Sequence, residues 1–183
     1  MRTVSAGLSG ALRRVLLAAL VGAACAAVPA RADDAPAANP NAGKALYAAS
    51  FKDLKDQMAS MDQYKGKVVV MYFWATWCVP CRVETPNLVK LNEEYKGKGK
   101  DVVVVGLALD NGDKVRQFVK DYSLTYPIFY GGHDAVALGK TLGNDGGAIP
   151  FTVVIGKDGT LVRTFKGDIP NSELEKIINP LVG

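Results

Sequence analysis

The sequence predicts an α/β fold: a central mixed β-sheet flanked by helices, with a helix and a strand inserted between a βαβ half and a ββα half. Three observations point there. Two continuous apolar, β-branched runs, KVVVMYFW (67–74) and DVVVVGLAL (101–109), suit strands buried on both faces. Between them Val83, Asn87, Leu88, Leu91 and Tyr95 recur at helical spacing, and Gly97 and Gly99 stop the helix. Strand, helix, strand of this hydrophobicity indicates a right-handed βαβ unit. Near the C-terminus FTVVI (151–155), the turn GKDG and TLVRTF (160–165) read as a β-hairpin.

In chain order, residues 1–32 read as an export signal. Arg2, Arg13 and Arg14 precede an apolar stretch of 14 residues, Val15 to Val28, and Ala30-Arg31-Ala32 matches the small-x-small pattern cleaved by signal peptidase. The stretch is short for a permanent anchor, which needs about 20 apolar residues. Retention as a membrane tether, or lipidation at Cys25 after Gly22-Ala23-Ala24, are the alternatives. Residues 33–43, rich in Ala, Pro, Asn and Asp, read as a flexible linker, and residues 44–183 as one domain. Residues 51–61 fit either a helix or two short strands turning at Lys55-Asp56-Gln57. Val115, Phe118, Val119 and Tyr122 mark an amphipathic helix, Tyr126 to Tyr130 a short strand, Ala135 to Leu142 a helix and Gly143 to Gly147 a loop. Ser172 with Glu175 predicts a capping box opening a last helix that runs to about Leu181.

Composition narrows function. Apolar residues are 49% of 183, enough for a real core. The formal charge of +4 resides in the leader, because residues 33–183 hold 18 basic and 18 acidic side chains. A basic surface for nucleic acid is therefore not indicated.

The chain has three cysteines, and loss of the leader leaves only Cys78 and Cys81. A disulfide closing so small a loop constrains the unfolded chain little, so the pair reads as chemical rather than structural. Cys78 falls between a buried strand and a helix start, where unpaired N–H groups and the helix dipole favour thiolate, the species that attacks disulfides. Pro80 fits the first helical turn, and Cys81, one turn on, is within reach of Cys78. Half a zinc site is the competing reading. It lacks ligands, because the only histidine is His133, which reads as a solvated loop residue, and no metal is expected. The polar run EEYKGKGK (93–100) reads as a solvated helix end.

FWATWCVPC followed by RVETP resembles the thioredoxin superfamily, in particular its exported TlpA/ResA-like branch, over residues 44–183. Glu84, Pro86 and the extra helix and strand at about 113–130 point to that branch. The resemblance implies a thioredoxin-like fold and a thiol-disulfide oxidoreductase with no cofactor, whose redox disulfide is Cys78–Cys81. It implies catalytic roles for Cys78, Cys81 and Glu84, and substrate contacts from Trp77, Val79, Pro80, Ile149 and a cis Pro150. Trp74 and Pro86 become structural supports, Pro86 by kinking the helix. One departure stands out: thioredoxin has a buried aspartate two residues ahead of the first tryptophan, and here that position is Tyr72. A proton acceptor for Cys81 must then come from elsewhere, and Glu84, one helical turn on, is the candidate. The branch further implies a monomeric periplasmic enzyme that reduces protein disulfides and is reset by a membrane-bound electron donor. Its substrates would be apocytochrome c or proteins of respiratory copper-site assembly. An oxidase or isomerase of the same fold, and a Cu(I) chaperone holding the ion between the same thiolates, are the alternatives.

Overall fold

The computed structural model describes residues 41–183, so the expected leader, its cleavage site and Cys25 lie outside the described residues. The chain forms α1 (Ala42–Ala48), β1 (Ser50–Asp53), β2 (Met58–Ser60), β3 (Val68–Trp74), α2 (Val79–Gly97), β4 (Val102–Ala108), α3 (Gly112–Asp121), β5 (Ile128–Tyr130), α4 (His133–Thr141), β6 (Phe151–Ile155), β7 (Leu161–Lys166) and α5 (Asn171–Ile178). The strands make one sheet in the order β2-β1-β5-β4-β3-β6-β7. Within it β3, β4 and β5 are parallel, and the two flanking hairpins run antiparallel. This is the mixed thioredoxin-like sheet, with α3 and β5 as the inserted pair.

Every residue of β3 is buried, and strand alternation explains how. Val68, Val70, Tyr72 and Trp74 face one side, with Leu88, Leu91 and Tyr95 of α2, Phe118 of α3, and Leu174 and Ile178 of α5. Val69, Met71 and Phe73 face the other, with Leu46 of α1 and Leu138 of α4. The continuous apolar run is the signature of a strand covered by helices on both faces.

Several local expectations change or resolve. The helix α1 begins inside the segment read as linker, and Ala42 and Gly43 are buried. Residues 51–61 are two strands, because the Asp53 carboxylate accepts the N–H groups of Lys55 and Gln57 and Asp56 takes φ 64°, closing a turn. The capping box does not form. Pro170 is the N-cap of α5, and its carbonyl takes the N–H groups of Glu173 and Leu174, which places Ser172 inside the helix. The α-helix stops at Ile178, because Pro180 has no N–H to continue the ladder, and Asn179–Leu181 tightens into a 3-10 turn. His133 is the first residue of α4 rather than a loop residue, and its side chain is exposed.

Topology positions the site. The C-terminal end of β3 delivers the chain to α2, and Phe73 pairs with Phe151 at the start of β6. Residues 75–81 and 149–150 are thus brought to one end of the sheet, where the parallel strands β3 and β4 also end, the usual place for chemistry in such sheets.

Candidate active site

The turn between β3 and α2 is held from two sides. The Thr76 carbonyl accepts from Arg82 Nε at 3.0 Å and Nη2 at 2.7 Å. The Thr76 hydroxyl donates to Asp110 Oδ2 at 2.5 Å. Cys78 is the N-cap of α2, with extended backbone angles, and its Sγ accepts the Cys81 N–H at 3.2 Å. The sulfur thus does what a serine oxygen does at an N-cap: it satisfies one of the helix's orphan donors, and the same N–H favours negative charge there. Pro80 occupies the first turn, where its missing N–H leaves no orphan.

Cys78 and Cys81 are joined in a disulfide, with Cα atoms 5.3 Å apart. Cys81 is fully buried and Cys78 nearly so, whereas Trp77, Val79 and Val83 stand out at 62%, 67% and 69% exposure. The pair therefore sits in an apolar collar with one sulfur, that of Cys78, nearer solvent. Trp74 is buried beneath, its ring 4.6 Å from that of Phe118. Pro86 lies inside α2, where it withholds the N–H that would bond the Arg82 carbonyl, yet the helix continues to Gly97.

Glu84 is 1% exposed, though it lies on the helix whose neighbouring Arg82 and Val83 face solvent. Its Oε1 accepts the Ile169 N–H at 2.9 Å, and its Oε2 has no hydrogen-bond partner. Burial pushes the carboxyl up to about 7, against the pull of the Ile169 N–H and the Tyr72 hydroxyl, and the Asp168 charge adds to the rise. A group with that pKa exchanges protons near neutrality, and it lies about 4.5 Å of helix rise from Cys81.

Around it lies a polar cluster that the sequence does not announce. Fully buried Tyr72 donates to the Cys81 carbonyl at 3.4 Å. Thr85 donates to the same carbonyl at 2.8 Å. The Tyr126 hydroxyl is buried without a partner, and the Trp74 Nε1 likewise. Desolvation and the nearby Glu84 push both tyrosine hydroxyls well above the usual phenol range. Tyr72 alone carries a sequence signal, as the replacement of an aspartate. Thr85, Tyr126 and Ile169 carry none.

The Ile149–Pro150 peptide bond is cis. The Pro150 carbonyl accepts the Gly167 N–H at 2.8 Å, whereas neither backbone polar group of Ile149 has a partner among the described residues. Asn144, 3% exposed, holds this loop: its Nδ2 donates to the Ala148 carbonyl at 2.8 Å and its Oδ1 accepts the Ala148 N–H at 2.9 Å. His133 takes no part in this arrangement, and no cluster of three or more His, Cys, Asp or Glu side chains suited to a metal occurs among the described residues.

Comparison with known proteins agrees with this geometry. Residues 32–178 match the Redoxin family model. The thiol-disulfide oxidoreductase ResA of Bacillus thuringiensis subsp. konkukian (strain 97-27) is 33% identical over 132 residues, covering 70% of this chain and 72% of that protein. The thioredoxin-like protein YneN of Bacillus subtilis (strain 168) is 33% identical over 128 residues, 69% and 72% of the two chains. Among solved structures, a thiol:disulfide interchange protein of the thioredoxin family from Chlorobium tepidum TLS superposes with a TM-score of 0.64 at 25% identity, over 74% of this chain and 93% of that one. A secreted thiol-disulfide isomerase from Corynebacterium glutamicum gives 0.65 at 26% identity, over 73% and 82%.

Proposed function

The chain belongs to the redoxin family and is a thiol-disulfide oxidoreductase of TlpA/ResA-like type, and from that premise we propose that it reduces disulfides in exported partner proteins. The observation that carries this reading is the pairing of an N-capping Cys78 sulfur with a buried carboxyl, Glu84, behind buried Cys81.

In the reduced enzyme the Cys78 thiolate attacks one sulfur of a substrate disulfide. The substrate's S–S bond breaks, its other sulfur leaves as thiolate, and a mixed disulfide joins Cys78 to the partner. The free N–H and C=O of Ile149 pair with the partner's extended backbone beside Pro150, as an added strand pairs with a sheet edge. Trp77, Val79 and Pro80 supply its apolar contacts. Ionised Glu84 then takes the Cys81 proton, and the new thiolate attacks Cys78 Sγ. The Cys78–Cys81 disulfide forms, and the second substrate sulfur leaves and is protonated. Two electrons have passed from the enzyme's dithiol to the partner, so a membrane-bound dithiol donor must reset the oxidised state.

The leader pattern and the secreted relative support export to the periplasm or an equivalent compartment. Family likeness supports apocytochrome c or copper-site assembly proteins as substrates and a monomeric enzyme. The direction is set by reduction potential. The test is Cys81→Ser expressed in the native cell: a partner held through Cys78, released by reductant and absent from Cys78→Ser/Cys81→Ser, supports the reading. A redox equilibrium with glutathione that places the pair among strong oxidants would replace reductase by oxidase.

A further inference from the structure

The Glu84 carboxyl is met from three segments besides its own helix. Tyr72 comes from β3, Tyr126 from the segment ahead of β5, and the Ile169 N–H from the β7–α5 connection, whose exposed Asp168 adds its charge, while Cys81 lies one turn back on α2. One carboxyl oxygen is satisfied by Ile169 and the other, Oε2, by nothing. An ionised carboxylate buried with an empty oxygen is costly, and a donor that turns toward it removes most of that cost. Two tyrosine hydroxyls lie beside the carboxyl. That of Tyr126 is buried with no partner. That of Tyr72 faces the Glu84 carboxyl, and its bond to the Cys81 carbonyl, an acceptor that Thr85 already serves at 2.8 Å, is long at 3.4 Å. Tyr72 can therefore leave the Cys81 carbonyl without orphaning it.

We propose that Tyr72 is a positioning residue of the redox site: its hydroxyl rests on the Cys81 carbonyl while Glu84 is protonated and turns to Glu84 Oε2 when the carboxyl ionises, holding the carboxylate ready for the Cys81 proton. The device takes the place of the aspartate that thioredoxin carries at this position. A phenol there cannot serve as base, because its own proton is held tightly by burial, but it can supply a hydrogen bond to a base placed elsewhere. No proton leaves Tyr72 in the cycle. It donates first to one oxygen and then to another, while the transferred proton moves from Cys81 Sγ to Glu84.

This inference rests on the reading of Glu84 as the acceptor for Cys81, and the experiment separates the two. Resolution of a mixed disulfide between Cys78 and a peptide is followed by stopped flow from pH 5 to 9 in wild type, Tyr72→Phe, Tyr126→Phe, Glu84→Gln and Tyr72→Phe/Glu84→Gln. Loss of one hydrogen bond to a charged group should raise the midpoint of the profile by about one pH unit in Tyr72→Phe, slowing resolution several-fold at pH 7 without changing formation. Tyr126→Phe should move it less, and the double variant should behave as Glu84→Gln. If Glu84→Gln keeps the wild-type profile, the acceptor reading falls. If Glu84→Gln abolishes the profile while Tyr72→Phe leaves the midpoint in place, or Tyr126→Phe moves it more, Tyr72 is only a packing residue. A second readout needs no variant: in wild type carrying ring-labelled tyrosine, the infrared C–O band of one tyrosine should shift at the pH where the protonated Glu84 carboxyl band disappears. A tyrosine spectrum indifferent to that transition overturns the proposal.

Discussion

The Ile169 N–H donates to Glu84 Oε1 at 2.9 Å, joining the connection ahead of α5 to the helix that carries both cysteines. That bond lies within a protein interior where burial above all pushes the carboxyl's pKa from its ordinary 4.5 up to about 7. The sign of the consequence follows from proton counting. Between those two values the unfolded chain has released the proton and the folded chain still holds it, so stability falls as pH rises.

Wild-type protein should thus be more stable near pH 5 than near pH 8. Relative to Glu84→Gln, which keeps an acceptor for Ile169 and cannot ionise, the loss should be on the order of 3 kcal/mol. Urea unfolding of both oxidised proteins at the two pH values measures it. A parallel pH response in wild type and variant would mean that Glu84 ionises freely and is not held in the interior.

In the reduced protein Cys78 should alkylate at least about tenfold faster than Cys81 at pH 7. The Cys78 sulfur receives the Cys81 N–H at the helix start and is the nearer to solvent, whereas Cys81 is fully buried. Mass spectrometry after a short pulse of iodoacetamide gives both rates. Faster labelling at Cys81 would reverse the attacking and resolving roles.

The elements that could be read from sequence were those whose signal is local. The two buried runs that became β3 and β4 and the hairpin of β6 and β7 state their periodicity within a few residues. The cysteine pair announces its helix N-terminus in the same way. What escaped depends on remote partners. Composition around Ala42 and Gly43 suggests linker, and it is packing against remote segments, the β6–β7 turn and α4 among them, that docks it as helix α1. Ser172 and Glu175 have the spacing of a capping box, but the Pro170 carbonyl takes the first helical N–H groups instead. At the site, spacing placed Glu84 near Cys81. Its enclosure comes from Tyr126 and Ile169, which lie far along the chain and carry no motif.

That remote contact makes a sharp prediction. A Cβ on Gly43 would lie 2.2 Å from the Gly159 carbonyl oxygen and 2.7 Å from its Cα, both backbone atoms that cannot rotate away. At an unconstrained helical position Gly→Ala stabilises by about 1 kcal/mol. Here Gly43→Ala should instead destabilise by about 1–3 kcal/mol, the usual result of overpacking, and release α1 to proteolysis. Chemical unfolding with limited proteolysis gives the sign directly, and a gain in stability would mean that α1 does not dock on the turn.

The loop ahead of Pro150 offers the last test, because a single side chain holds it. Asn144 both donates to and accepts from Ala148, the residue before Ile149. Asn144→Ala removes both bonds and leaves the Ala148 N–H and C=O unpaired, at a cost of about 1–3 kcal/mol. Asn144→Asp is more informative. Its carboxylate can still accept the Ala148 N–H, but its second oxygen would face the Ala148 carbonyl, acceptor against acceptor, in a site that is 3% exposed in the wild type. Burial and this repulsion should raise the new carboxyl's pKa, so the folded chain would hold its proton above the pH at which the unfolded chain releases it. The variant should then approach wild-type stability at pH 4, where a protonated oxygen can donate to the Ala148 carbonyl, and lose stability as pH rises toward 7. Because Ile149 is the proposed backbone contact for the partner, mixed-disulfide formation should slow several-fold over the same interval, while alkylation of Cys78 by a small reagent stays unchanged. Equal losses in both reactions would place the effect at the cysteines rather than at the loop, and Ile149 would lose its role in binding the partner.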